Sequence, residues 1–319
     1  MPETKDTGLR DVLVADTKIS GVDGEKGKLI YRGYDIDELA RYSSFEETVY
    51  LLLYETLPTR KELEIFKETV ASERHLPEDI IRHLKNRKKT ANTMDVLQSV
   101  IPMFADFDDD AGVETREANI KRSVKLVAKM ATVVACWDRI RKDLNIKEPD
   151  ERLGHAENFL YMMGGVPDEE TARDFDICLV LHAEHSFNAS TFTARVVAST
   201  RAHMYACVNA ALGALSGELH GGANTKVMKM LIEIDNPERA EKWVNSALDE
   251  GKRIMGMGHA VYKTMDPRAR ILFRISEKLA ERTGDKKWFE LSRKIENVAR
   301  AEFKKRKGKD IYPNVDFYS

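Results

Sequence analysis

From Asp35 to Phe303 the apolar residues of this chain return at three- and four-residue intervals, and that feature restricts it to a helical architecture. The longest run, Glu114 to Leu144, interleaves Ile120, Val124, Leu126, Val127, Met130 and Val133. Ser44, followed by Glu46 and Glu47, reads as a helix start for Val49, Leu51, Leu52 and Leu53, and Thr59 as one for Leu63, Ile65, Phe66 and Val70. Further helices are expected at Asn92–Phe104, His155–Met163, Asp168–Leu181, Ser190–Ala198, Met204–Leu215, Thr225–Ile234, Pro237–Asp249, Arg268–Thr283 and Lys287–Phe303, with Phe107–Gly112 as a loop. Only the opening differs. Val12–Leu13–Val14 and Ile19, then Leu29–Ile30–Tyr31, are β-prone runs on either side of Gly21–Gly27, which predicts a small hairpin. No fixed-period repeat or low-complexity segment interrupts the pattern. The expected fold is all-α with a short β hairpin near the N-terminus, and 319 residues suffice for two domains.

Composition matters here for what it excludes. Lys+Arg number 51 and Asp+Glu 53, a net charge of −2, which gives no global attraction to nucleic acid or to an anionic membrane. No run approaches the ~18 apolar residues of a membrane span, and Met1–Leu13 has no apolar stretch of signal-peptide length. Cys136, Cys178 and Cys207 lie far apart in apolar segments with no CxxC pair, so buried thiols in a reducing, cytoplasmic compartment are expected.

Of the eight histidines, His75, His83, His155 and His203 sit in amphipathic contexts and read as surface or capping residues. His220, in Gly217–Asn224, is followed by two glycines that allow close approach of a ligand; the next helix would offer free N–H groups to keep the imidazole neutral. His259, in Gly256–Lys263, is also bracketed by glycine. Arg268, nine residues on, offers a bidentate fork to a carboxylate. The bland reading of both segments is a glycine-rich turn or connecting loop. His182 and His185, three apart, share a helix face if the helix continues, but the spacing is not HExxH and no third ligand is evident, so no metal is expected. Asp316 lies among apolar and aromatic neighbours that would raise its basicity, although terminal aspartates are usually solvated. Asp106, Asp108, Asp109 and Asp110 lack a calcium-loop pattern and read as a solvated loop. The basic run Lys304–Lys309 is either a solvated helix end or, beside a polyphosphate, an anion site.

GELHGGAN, GMGHAVYKTMDPRAR, HAEHSFNAST and PNVDFYS together resemble the citrate synthase family, and the likeness runs from about Leu9 to Ser319. The resemblance implies a two-domain helical homodimer, with residues 1–219 as the large domain and 220–319 as a small domain that closes over the substrates. It implies a tricarboxylic acid cycle acyltransferase acting on acetyl-CoA and oxaloacetate without a cofactor. By motif, Asp316 is the general base, His220 the donor to the thioester oxygen and His259 the donor to the oxaloacetate ketone. His185 and Arg268 are expected to hold oxaloacetate. Ile254, Met255, Gly256, Met257 and Gly258 would line the adenine site, with Lys263 and Lys307 also contacting CoA. The family continues past PNVDFYS into the large domain with two further carboxylate-binding arginines. No position here matches them, so that segment is expected to be missing. Rival expectations are a 2-methylcitrate synthase using propionyl-CoA, a non-catalytic helical dimer that only binds CoA, and a metal hydrolase built on His182 and His185.

Overall fold

Side-chain oxygens at the right positions start most of the helices. In the computed structural model, which describes residues 15–217 and 220–319, Thr59 and Glu62 close a reciprocal capping box, and Ser44, Asn92, Thr115, Asp168, Asn188, Asp266 and Asn314 each cap a helix with their own oxygen. The helices are α1 (Ile36–Tyr42), α2 (Phe45–Tyr54), α3 (Arg60–Ser72), α4 (Glu78–Lys85), α5 (Thr93–Val100), α6 (Arg116–Arg141), α7 (His155–Met163) and α8 (Glu169–His182). They continue as α9 (Ala189–Ala198), α10 (Met204–Ser216), α11 (Ala223–Ile234), α12 (Pro237–Asp249), α13 (Pro267–Thr283), α14 (Lys287–Lys307) and α15 (Val315–Tyr318). None of the helices among the described residues is long and apolar enough to cross a membrane.

Three sequence expectations shift. The stretch Asn92–Phe104 divides into α5 and a 3-10 segment, Ile101–Phe107, because Pro102 has no N–H to continue the α ladder. The α4 and α15 helices, too short to show a convincing period, are additions. The hairpin consists of β1 (Ser20–Asp23) and β2 (Lys28–Tyr31), paired antiparallel with Ser20 opposite Tyr31, and a short β3 (Tyr34–Asp35) extends the sheet. Gly21, Val22 and Asp23 are therefore strand rather than turn, and the turn itself is 24–27. The expected Val12–Val14 strand lies outside the described residues.

The apolar stripes collect into separate cores. One draws Ile80, Val96, Ile101, Trp137 and Tyr205 from α4, α5, the 3-10 segment, α6 and α10. A second draws Val227, Met230, Val244, Leu291, Ile295 and Phe317 from α11, α12, α14 and α15. A third joins distant parts of the chain: Leu29 and Tyr31 of the hairpin, Leu39 of α1, Val180 and Leu181 of α8, Leu272 of α13 and Val315 of α15. Each fully buried Leu or Val there contributes about 1.5–3 kcal/mol. That third core brings the end of α8 together with α13 and the start of α15.

Candidate active site

His220 lies between α10 and α11, where the chain turns too tightly for a side chain at the next position. A Cβ on Gly221 would stand 2.2 Å from the Leu215 carbonyl oxygen, and the Gly221 N–H instead donates to that oxygen at 2.9 Å. The Ser190 backbone N–H donates to His220 Nε2 at 3.2 Å, and Ser190 Oγ is 3.0 Å from the same nitrogen. A backbone N–H only donates, so Nε2 carries the lone pair and the proton resides on Nδ1. Ser190 is in the first turn of α9, where the helix leaves N–H groups without internal partners. The sequence predicts such help from α11, the next helix along. The helix that supplies it is α9, brought across by the packing of α9 on α10.

His259, in the α12–α13 loop, is held differently. Its Nδ1 accepts from the Val261 N–H at 3.0 Å and the Tyr262 N–H at 3.2 Å, so Nε2 carries the proton. Burial lowers its pKa; the Asp266 carboxylate opposes this and the Arg268 cation adds to it. Both histidines thus present an imidazole with one nitrogen held as an acceptor by backbone N–H, and among the described contacts the other nitrogen has no partner.

His185 Nε2 lies 3.2 Å from Tyr262 Oη, and its ring centroid is 5.4 Å from that of His259. Burial, with the Arg268 cation next, lowers the His185 pKa to about 4, so it too is neutral. Arg268 is buried and spends one edge of its guanidinium on Asp266: Nε donates to Oδ1 at 3.0 Å and Nη2 to Oδ2 at 2.8 Å. The fork expected to face a substrate carboxylate is thus partly committed to an internal partner, and the Nη1 side is what remains.

Asp316 opens α15. Burial raises its pKa, the charges of His182, Arg268 and His220 oppose this and Asp266 adds to it, so His220, one of the two expected donors, is among the groups that act on it. The expected CoA loop is fastened to the segment before Asp316. Asn314 N–H donates to Gly256 O at 2.9 Å, Gly258 N–H to Tyr312 O at 2.8 Å, and Asn314 Nδ2 to Gly258 O at 2.9 Å. Gly256, at φ +75°, has Phe317 and Val227 atoms 2.8 Å from where a Cβ would stand. These bonds occupy backbone groups of Gly256 and Gly258 that were expected to line an adenine pocket, and the Met257 N–H likewise donates to the Ile254 carbonyl at 3.2 Å. Lys263 is exposed at the loop's edge. Lys307 ends α14, and among the described contacts none joins it to the histidines; its neighbours Lys304 and Arg306 pair with Asp310 and Asp249.

Other expectations are corrected. The α8 helix ends at His182, which turns to the Cys178 carbonyl at 2.7 Å, while His185 lies beyond it in the loop; the two rings do not share a helix face. His155 is buried rather than at the surface, its Nδ1 without a hydrogen-bond partner. His203 does cap α10. Asp108 is not solvated: it accepts from Tyr205 Oη at 2.8 Å and Lys125 Nζ at 3.2 Å, an internal ion cluster. Sequence reasoning missed Tyr262, Asp266 and Ser190 as site residues. The Asp–Pro–Arg order, which marks a helix N-cap, was the available signal for Asp266.

The sequence profile described as "Citrate synthase, C-terminal domain" matches residues 8–319. A citrate synthase of Haloferax volcanii is 45% identical over 320 residues, spanning 98% of this chain and 82% of its own length. A 2-methylcitrate synthase of Corynebacterium glutamicum is 41% identical over 318 residues, spanning 97% and 81%. A citrate synthase of the thermophilic archaeon Thermoplasma acidophilum, solved as a ternary complex with carboxymethyl coenzyme A and oxaloacetate, superposes with a TM-score of 0.92 at 32% identity over 98% of this chain and 82% of that one.

Proposed function

The chain belongs to the citrate synthase family, and on that premise we propose that it condenses acetyl-CoA with oxaloacetate to give citrate and free CoA. The observation that carries this reading is the pair of neutral imidazoles, each with its lone pair filled by backbone N–H groups, beside a carboxylate made more basic by burial. A thioester α-proton is so weakly acidic that its removal needs a desolvated base and a donor already aimed at the developing oxyanion. Asp316 takes the methyl proton, while His220 Nδ1–H supports the thioester oxygen. The resulting enol carbon attacks the oxaloacetate ketone, whose oxygen His259 Nε2–H polarises. Water then cleaves the citryl thioester. His185 and the Nη1 side of Arg268 hold the oxaloacetate carboxylates, and the 254–258 loop with Lys263 and Lys307 receives CoA.

The likeness to a 2-methylcitrate synthase keeps propionyl-CoA as a second substrate reading, since one methylene alters discrimination by only ~1–3 kcal/mol. The same reading divides the chain into a large domain, 1–219, and a small one, 220–319; the core confined to Val227–Phe317 supports the second. It also makes the protein a homodimer, for which the exposed Met228 and Ile232 of α11 offer an apolar face. Free, largely buried thiols fit a reducing cytoplasm. The test is release of free CoA thiol from acetyl-CoA and from propionyl-CoA, with and without oxaloacetate. Release dependent on oxaloacetate is expected, and its absence with both thioesters would overturn the reading.

A further inference from the structure

The β1–β2 hairpin grips both loops that carry the oxaloacetate histidines. On one side, Ser20 Oγ donates to Glu184 Oε1 at 2.9 Å and accepts the Ser186 N–H at 3.1 Å, so β1 holds the residues flanking His185. Tyr31 of β2 reinforces this: its hydroxyl accepts the Glu184 N–H at 3.2 Å and lies 3.3 Å from the Val180 and Leu181 carbonyls that end α8. On the other side, the turn meets the segment just after His259. The Gly24 carbonyl accepts the Lys263 N–H at 2.9 Å. There is no slack in that contact: a Cβ on Gly24 would stand 2.3 Å from the Val261 carbonyl oxygen, and one on Gly27 2.8 Å from Thr264 Cγ2. Val261 and Tyr262 are the residues whose N–H groups fix the His259 ring.

We infer that Ser20 and Gly24 are positioning residues for oxaloacetate, and that the hairpin sets the spacing and orientation of His185 and His259. This rests on the assignment of those two histidines to oxaloacetate made above. Neither residue touches substrate. They act on a dicarboxylic 2-oxo acid whose ketone and carboxylate are a fixed distance apart, so two donors on independent loops need a common brace. The hairpin supplies it from the opposite end of the sequence; its described bond to the acyl-CoA side is to the backbone N–H of Lys263, whose side chain stays exposed.

The experiment uses the full chain and compares wild type with Ser20→Ala, Gly24→Ala and, as a control, Gly112→Ala, whose Cβ would enter open space. Oxaloacetate binding is measured by isothermal titration, and KM for oxaloacetate and for acetyl-CoA by thiol release. Gly24→Ala is expected to raise KM and Kd for oxaloacetate at least tenfold, and Ser20→Ala several-fold. KM for acetyl-CoA should stay within twofold in both, and Gly112→Ala should match wild type throughout. Should Gly24→Ala fail to fold, Ser20→Ala decides alone, because it removes only one hydroxyl. Oxaloacetate constants within twofold of wild type, or equal losses for both substrates, would overturn the inference. Wild-type protein that binds no oxaloacetate is a separate failure, that of the site assignment itself, and is visible in the first titration.

Discussion

His220 and His259 reach the same chemical state by different routes. Both follow or precede glycines, both are neutral, and both have one ring nitrogen occupied by backbone N–H donors. His259 is served by Val261 and Tyr262, two and three residues along its own loop. His220 is served by Ser190, thirty residues away at the start of another helix. The first arrangement is built into a local turn, whereas the second exists only when α9 lies against the α10–α11 junction. A histidine can therefore be prepared for donation locally or by tertiary packing, and only the local form leaves a mark in consecutive residues.

If both imidazoles are donors rather than proton carriers, the proton must leave through Asp316. Asp316→Asn should then lower kcat by about 10²–10⁴-fold while oxaloacetate binding, measured by titration, persists. Near-normal turnover in that variant would make one histidine the base and break the comparison. The local arrangement also depends on its anchor, the buried Asp266–Arg268 pair. Arg268→Ala leaves Asp266 buried and unpaired, so denaturant unfolding should show a loss of about 3–5 kcal/mol, accompanied by weaker oxaloacetate binding. Unchanged stability would mean that the Nδ1 bonds alone hold the His259 loop.

A third buried imidazole sharpens the contrast, because His155 packs against Phe45 and no described group bonds its Nδ1. Burial lowers its pKa to about 4, as it does for His185. Unfolded, such a group takes up a proton near pH 6.5; folded, it resists until about 4. The unfolded chain then binds more protons in that window, so stability is full above about pH 6.5 and falls as pH drops toward 4. His155→Leu should flatten the slope of the urea midpoint against pH by an amount worth no more than about 3 kcal/mol. An unaltered slope would assign the acid loss to other groups. The smallest effect is expected for Ser190→Ala, which removes the hydroxyl near His220 but keeps the backbone N–H. A two- to fivefold fall in kcat, about 0.5–1 kcal/mol, fits that picture. A hundredfold fall would show that the hydroxyl, not the helix terminus, fixes the His220 tautomer.

The long helices were legible because their apolar period is sustained over several turns, as in α6. Where it is not, legibility fails: eight-residue α4 and four-residue α15 have too few turns to register, and the break at Pro102 was lost in an otherwise helical stretch. His220, His259, Arg268 and Asp316 stand out as candidates from glycine brackets and motif order. Their partners do not, because the Ser190–His220, Gly24–Lys263 and Tyr31–Glu184 bonds join residues that share no local pattern. The burial of Asp108 is a similar case. Its partners Tyr205 and Lys125 lie on helices that only the finished packing brings to the loop.

The fastening of the Gly256–Gly258 loop to Tyr312–Asn314 has a consequence for folding kinetics. Asp316 and His259 acquire their relative placement only after the chain has closed the loop that contains α13 and α14, and His220 waits in addition for α9. Such non-local closures form late relative to local helices. During refolding, helical circular dichroism should therefore recover before catalysis does, which makes turnover a reporter of the last contacts to form.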